Sequence, residues 1–122
     1  MSEEFIIAVI DDDESFRIAL VGLLCSLGYE AQGFASAVEF INRGGEGSCD
    51  CIITDFNMPE MSGLDLIQLL DARGSTVPVI MVTGCSDSAL GAKAAAGGAV
   101  CLLTKPFVAD ALIASLEGVL KI

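Results

Sequence analysis

The stretch "CIITDFNMPEMSGLDLIQLL" (residues 51–70) changes period part-way along. Cys51–Thr54 is a short, continuous run of apolar and β-branched residues, as expected of a strand buried on both faces. Asp55 stops it. Gly63, Leu66, Ile67 and Leu70 then recur at helical spacing. Between the two patterns stand Pro59, which restricts the residue before it to extended geometry, and Gly63, which lets a helix approach closely. A carboxylate at the end of a buried strand needs a chemical reason, and Asp55 is read as a site.

The same alternation recurs on either side. "FIIAVI" (5–10) is a continuous apolar strand, followed by a helical stripe of Phe16, Leu20, Leu23, Leu24 and Leu27 with Gly28 as its stop. Residues 29–34 give a weaker second strand. Ser36 can cap a short helix whose inward stripe is Ala37, Phe40 and Ile41, and "GGEGS" (44–48) reads as a flexible loop. "VPVIMV" (77–82) is the fourth strand, with its proline at the start. Residues 87–96 make a helix softened by Gly91 and by Gly97-Gly98 beyond it. "VCLLT" (100–104) is the fifth strand, and Ala109, Leu112, Ile113, Leu116, Val119 and Leu120 mark a last amphipathic helix. Five β-α units with short connections predict an α/β fold: a parallel sheet covered on both faces by right-handed crossovers. Ligands of such sheets sit beyond the carboxyl ends of the strands.

Composition narrows the function. At 122 residues the chain, 1–122, is expected to be one domain. The balance of 6 basic to 17 acidic residues gives a net charge of −11, so direct nucleic-acid binding is not expected. No apolar run is long enough for a membrane span and "MSEE" is not a signal peptide, so a cytoplasmic location is expected. The 5 cysteines mostly sit inside apolar runs and read as small hydrophobes. Cys49-Asp50-Cys51 lacks the second pair or the imidazoles that a zinc site requires, and the absence of histidine removes Ser-His and Cys-His nucleophiles.

The polar residues gather at strand ends: Asp11-Asp12-Asp13-Glu14 after the first, Asp55 and Asn57 after the third, Thr83 after the fourth, Thr104-Lys105-Pro106 after the fifth. In a parallel sheet these ends share one edge, with neighbouring strands ~4.8 Å apart. One helix needs one N-cap, and Asp13 is assigned to it. Asp11 and Asp12 are then surplus carboxylates facing Asp55. They would repel one another unless something positive lay between them. An all-oxygen site of few carboxylates suits Mg²⁺ (or Mn²⁺). Lys105 at the same edge offers a point charge to an anion.

At these residues the chain resembles the receiver domain of bacterial two-component response regulators. The matching segments are "VIDDDESFR" (9–17), "IITDFNMPEMSGLDLI" (52–67), "PVIMVTG" (78–84) and "LTKPF" (103–107), which in order and spacing span nearly the whole chain. The resemblance implies a flavodoxin-like (βα)5 three-layer sandwich with strand order 2-1-3-4-5. It implies that Asp55 accepts a phosphoryl group from a sensor histidine kinase or phosphotransfer protein. Asp11, Asp12, Asp55 and the main-chain carbonyl of Asn57 would hold Mg²⁺. Thr83 would turn toward the phosphoryl group and Lys105 would pair with it, with the Lys105–Pro106 peptide cis. The switch would act through the fourth helix, fifth strand and fifth helix, on an output domain beyond residue 122 with a transcriptional role, or through a homodimer on the same face. The chain would not be an enzyme beyond its own phosphorylation and dephosphorylation. Two departures bear on output: Leu102 stands where an aromatic residue is usual, and Gly84 follows Thr83 where a small residue is usual. Two other readings compete. An aspartyl-phosphate phosphatase commonly carries a second acid two residues after its nucleophile, where this chain has Asn57. A receiver used only for docking commonly lacks the acceptor, whereas Asp55 is present.

Overall fold

Each of the five strands lies parallel to its neighbours, in the order β2-β1-β3-β4-β5. The structure is a computed structural model. It describes residues 5–58, 60–84, 88–105 and 109–120, with residues 46 and 88–91 described by their backbone alone. Pro59, Cys85, Pro106 and Phe107 lie outside the described residues, and with them the roles expected of Pro59, of Pro106 and of a cis Lys105–Pro106 bond.

The elements run β1 (Ile6–Ile10), α1 (Glu14–Ser26), β2 (Glu30–Phe34), α2 (Ala37–Asn42), β3 (Cys51–Asp55), α3 (Gly63–Ala72), β4 (Val79–Thr83), α4 (Ser88–Gly97), β5 (Cys101–Thr104) and α5 (Ala109–Leu120). The chain leaves β1 sideways to β2, then crosses back over β1 to β3 and continues in that direction. With crossover handedness fixed, this reversal puts α1 on the face opposite α2, α3 and α4. The core divides accordingly. Ala8, Ile10, Ile52 and Met81 join Phe40, Leu66 and Leu70 on one side of the sheet. Ile7, Val9, Ile53 and Val82 join Leu20, Leu24, Leu112 and Leu116 on the other. The alternation within β1, β3 and β4 is why these strands read as continuous apolar runs. Each inner side chain is removed from water, a contribution of roughly 1.5–3 kcal/mol for a fully buried Ile, Leu or Phe.

Helix ends follow local chemistry. Asp13 caps α1, its carboxylate accepting from the Phe16 N–H at 3.2 Å. Gly28, at φ 96°, stops the same helix. Ser36 caps α2, with Oγ accepting from the Glu39 N–H at 3.0 Å. Before α3, Ser62 and Asp65 form a reciprocal capping box, each side chain accepting from the other's N–H at 3.1 Å.

Three local expectations change. The 44–48 loop contains a 3-10 turn at Gly45–Gly47, and Gly45 lies against the ring of Phe40, where a Cβ would collide. Pro78 falls just before β4, its carbonyl accepting from the Ile52 N–H at 3.0 Å, and β4 instead extends to Thr83. In α4, Gly97 is a packing point: a Cβ there would lie 2.6 Å from Leu64 Cδ2 of α3. The Cys49-Asp50-Cys51 segment is structural. The Asp50 N–H donates to the Ile6 carbonyl (2.7 Å) and its carboxylate accepts from the Ile6 N–H (2.8 Å). Burial, more than the neighbouring Cys49, pushes the Cys51 thiol up to about 12, which disfavours the thiolate that a metal site would use. No helix among the described residues is long and apolar enough to cross a membrane.

Gly63 positions the site. A Cβ built on it would stand 2.7 Å from the main-chain oxygen of Asp55 and 3.2 Å from Met81 Sδ. Its N–H also donates to the Phe56 carbonyl at 3.0 Å. Gly63→Ala is expected to cost roughly 1–3 kcal/mol by overpacking, because the nearest atom is backbone. Urea denaturation checks this. A midpoint equal to that of the parent would show that α3 does not press on the Asp55 turn.

Candidate functional site

The carboxyl ends of β1, β3, β4 and β5 share one edge, which brings Asp11, Asp12, Asp55 and Lys105 together and carries Asn57 and Thr83, while Leu102 stays inside β5 and Gly63 opens α3. β1 and β3 are adjacent, with Ile10 level with Thr54, so the residues just beyond them share one edge. β3 pairs Asp55 with Val82, and β4 pairs Thr83 with Thr104. Asp55 is therefore level with Val82, one residue before Thr83, and Lys105 follows Thr104 at the end of β5.

One oxygen from each of Asp11, Asp12 and Asp55 lies within 4.8 Å of the other two. Their surroundings differ. Asp11 is 1% exposed, Asp55 is half-buried and Asp12 is open to solvent. Lys105 reaches both inner carboxylates, with Nζ 2.8 Å from Asp11 Oδ2 and 3.8 Å from Asp55 Oδ2. Lys105 was expected to serve the anion on Asp55; in this state it sits closer to Asp11. The Asn57 N–H donates to Asp55 Oδ1 at 3.4 Å. Thr83, 1% exposed, accepts the Lys105 N–H on its main-chain oxygen at 2.7 Å. Leu102 lies level with Met81 and packs into the core on the α3 and α4 face.

Burial, followed by the Asp11 charge, raises the pKa of Asp55 above the ordinary carboxylate range. Lys105 and the Asn57 N–H offset part of this, and Asp12 adds to it. Three carboxylates with one ammonium between two of them leave an excess of negative charge. Among the described residues the donor set is all oxygen, with no imidazole or thiolate. That fits a hard divalent cation such as Mg²⁺ in charge and in ligand type.

Two neighbours escaped the sequence reading. Phe16, read only as part of a helical stripe, places its ring under Lys105, with Nζ 4.0 Å from the centroid. Arg17 donates from Nη1 to the main-chain oxygen of Asp11 at 2.8 Å. Both lie in the first turn of α1, whose side chains lean back toward the helix N-terminus. That lean is the signal that could have placed them beside the acids.

Comparison with known proteins agrees with this architecture. The family model described as "Response regulator receiver domain" matches residues 7–117. The response regulator protein TmoT of Ectopseudomonas mendocina is 38% identical over 120 residues, covering 98% of this chain and 54% of that protein. The transcriptional regulatory protein FixJ of Azorhizobium caulinodans is 40% identical over 117 residues, covering 96% of this chain and 56% of its own length. The chain thus spans about half the length of these curated relatives. Among solved structures, FixJ-N superposes with a TM-score of 0.89 at 28% identity, over 98% of this chain and 96% of that one. The response regulator StyR superposes with a TM-score of 0.88 at 33% identity, over 98% of this chain and 60% of that one. A match of that reach, on a sheet order already implied by the sequence, means that the chain belongs to the response regulator receiver domain family of two-component signalling.

Proposed function

We propose that this domain is a cytoplasmic switch that takes a phosphoryl group on Asp55. The observation that carries the reading is the position of Asp55: a half-buried carboxylate at the edge of β3, 3.8 Å from the Lys105 ammonium and grouped with Asp11 and Asp12. Asp11, Asp12, Asp55 and the Asn57 carbonyl would hold Mg²⁺ (or Mn²⁺), which when bound supplies positive charge against the repulsion between the carboxylate and a phosphoryl group.

The donor lies outside this domain, which has no histidine of its own. A phosphohistidine on a sensor kinase or phosphotransfer protein supplies it. An Asp55 oxygen forms a bond to phosphorus as the phosphorus–nitrogen bond breaks, and the imidazole leaves with the electron pair. Lys105 offers its ammonium to the equatorial oxygens, on which charge is spread. The product presents three new acceptor oxygens. Bonds from Lys105 and from the Thr83 hydroxyl would each contribute roughly 1.5–3 kcal/mol. Inverting a population from about 1:99 to 99:1 needs about 5.5 kcal/mol, so the two together approach what a switch requires.

The affected face is α4, β5 and α5. β5 is a sheet edge with Cys101–Leu103 partly buried and Thr104 exposed, and Leu102 connects it to Met81 beside Gly63. The output would be a transcriptional domain or partner, as the name of FixJ suggests for that relative. A homodimer through the same face is part of this proposal. Incubation with acetyl phosphate and Mg²⁺, followed by intact mass and amide exchange, tests it. The expected result is the gain of one phosphoryl group with altered exchange in α4, β5 and α5. An unchanged mass rejects the acceptor role, and a gain with unchanged exchange rejects the output face.

A further inference from the structure

Asp11 is tied at four points. Its N–H donates to the Phe34 carbonyl at 3.1 Å. Its carbonyl accepts from Arg17 Nη1 at 2.8 Å. Its Oδ1 accepts from the Asp13 N–H at 2.9 Å, and its Oδ2 from Lys105 at 2.8 Å. Three of these partners belong to the adjoining strand, the following turn or the site itself. Arg17 is the exception, because it reaches back from within α1. Its route depends on β2: a Cβ on Gly33 would lie 3.2 Å from both Cγ and Cδ of Arg17. The missing side chain at Gly33 leaves the channel along which the Arg17 stem runs.

We propose that Arg17, seated in the gap left by Gly33, is a positioning residue for the acidic pair. By gripping the Asp11 carbonyl it fixes the Asp11–Asp12 peptide, and so sets the direction in which both carboxylates face Asp55. The inference rests on the Mg²⁺-dependent reading above. It makes a claim opposite in sign to electrostatics alone. Arg17 carries a positive charge beside a site meant for a cation, so deleting that charge would by itself tighten Mg²⁺ binding. Loss of positioning weakens it. Groups that orient the ligands of a metal commonly change affinity about 10–100-fold when removed.

The test is titration of the unphosphorylated domain with Mg²⁺ alone, followed by the amide shifts of Asp12 and Asn57, with thermal melts in chelator alongside. Arg17→Met is expected to weaken binding about tenfold. Arg17→Lys, a point charge without the planar fork, is expected to recover only part of the loss. Gly33→Ala keeps the charge and crowds the stem. It is expected to weaken Mg²⁺ binding without lowering the melting temperature, since glycine within a strand is itself unfavourable. Adding it to Arg17→Met is expected to do nothing further, because both act through one contact. If Arg17→Met fails to fold, Gly33→Ala decides the matter alone. Mg²⁺ affinity unchanged or tighter in these variants, with normal binding by the parent, overturns the inference and leaves the functional reading standing. A parent that does not bind Mg²⁺ overturns both.

Discussion

Asp55→Asn is expected to gain no phosphoryl group from acetyl phosphate and Mg²⁺, and also to melt at a higher temperature than the parent in chelator at neutral pH. The first effect is a complete loss, since an amide offers no nucleophilic carboxylate oxygen. The second follows from the direction of the Asp55 pKa. Burial and the Asp11 charge raise it in the folded protein above the ordinary value of 3.8. Between 3.8 and that raised value the folded state binds more protons than the unfolded state. Stability therefore falls as pH rises through this window. This is opposite to the usual carboxylate, whose pKa is lowered by folding. Above the window the whole penalty is present, and asparagine, being uncharged, escapes it. The advantage of the variant should shrink as pH falls through the raised value and vanish below 3.8. Mg²⁺ should then narrow the gap by stabilising the parent more. A variant no more stable than the parent at neutral pH would mean that the three carboxylates do not repel one another in the folded state. Retained phosphorylation would mean that another residue is the acceptor.

The sheet and the acidic edge were legible because both rest on patterns that a sequence displays directly. Strands buried on both faces read as unbroken apolar runs, and β1, β3 and β4 are such strands. Asp11, Asp12, Asp55, Thr83 and Lys105 were found by their common place at strand ends, which a parallel topology brings to one edge. β2 was weak in sequence because it is an edge strand with only Phe34 fully buried. The packing of the Gly45–Gly47 turn on the Phe40 ring was missed because it is a contact between elements. Arg17 and Gly33 were missed for the same reason. They stand 16 positions apart in different elements, and neither implies the other until α1 lies across β2. The capping box before α3 was there to be read as Ser-x-x-Asp at residues 62–65. Local chemistry and period are thus visible in the chain, while contacts across the sheet need the fold.

Lys105→Met is expected to separate binding from chemistry. The ammonium lies 2.8 Å from Asp11 Oδ2, 3.8 Å from Asp55 Oδ2 and 4.0 Å above the Phe16 ring. Methionine keeps most of the stem against Phe16 and removes the charge. Without it, Asp11 is a buried carboxylate that has lost its ion-pair partner. Breaking a buried pair from one side costs ~3–5 kcal/mol, and the partly exposed lysine head puts this case at the lower end. The domain should therefore melt earlier in chelator, the reverse of Asp55→Asn. The same vacated charge leaves the acidic edge more negative, so Mg²⁺ should bind more tightly and restore much of the lost stability. Phosphorylation should nonetheless slow by ~10²–10³-fold, the range for removing one preorganised donor to a developing anion. A metal that binds better while the reaction runs slower cannot be explained by damage to the fold. It would place Lys105 with the incoming phosphoryl group and its contact with Asp11 as the resting position from which it moves. A variant phosphorylated at the parental rate would show that Lys105 neutralises Asp11 and takes no part in the transfer.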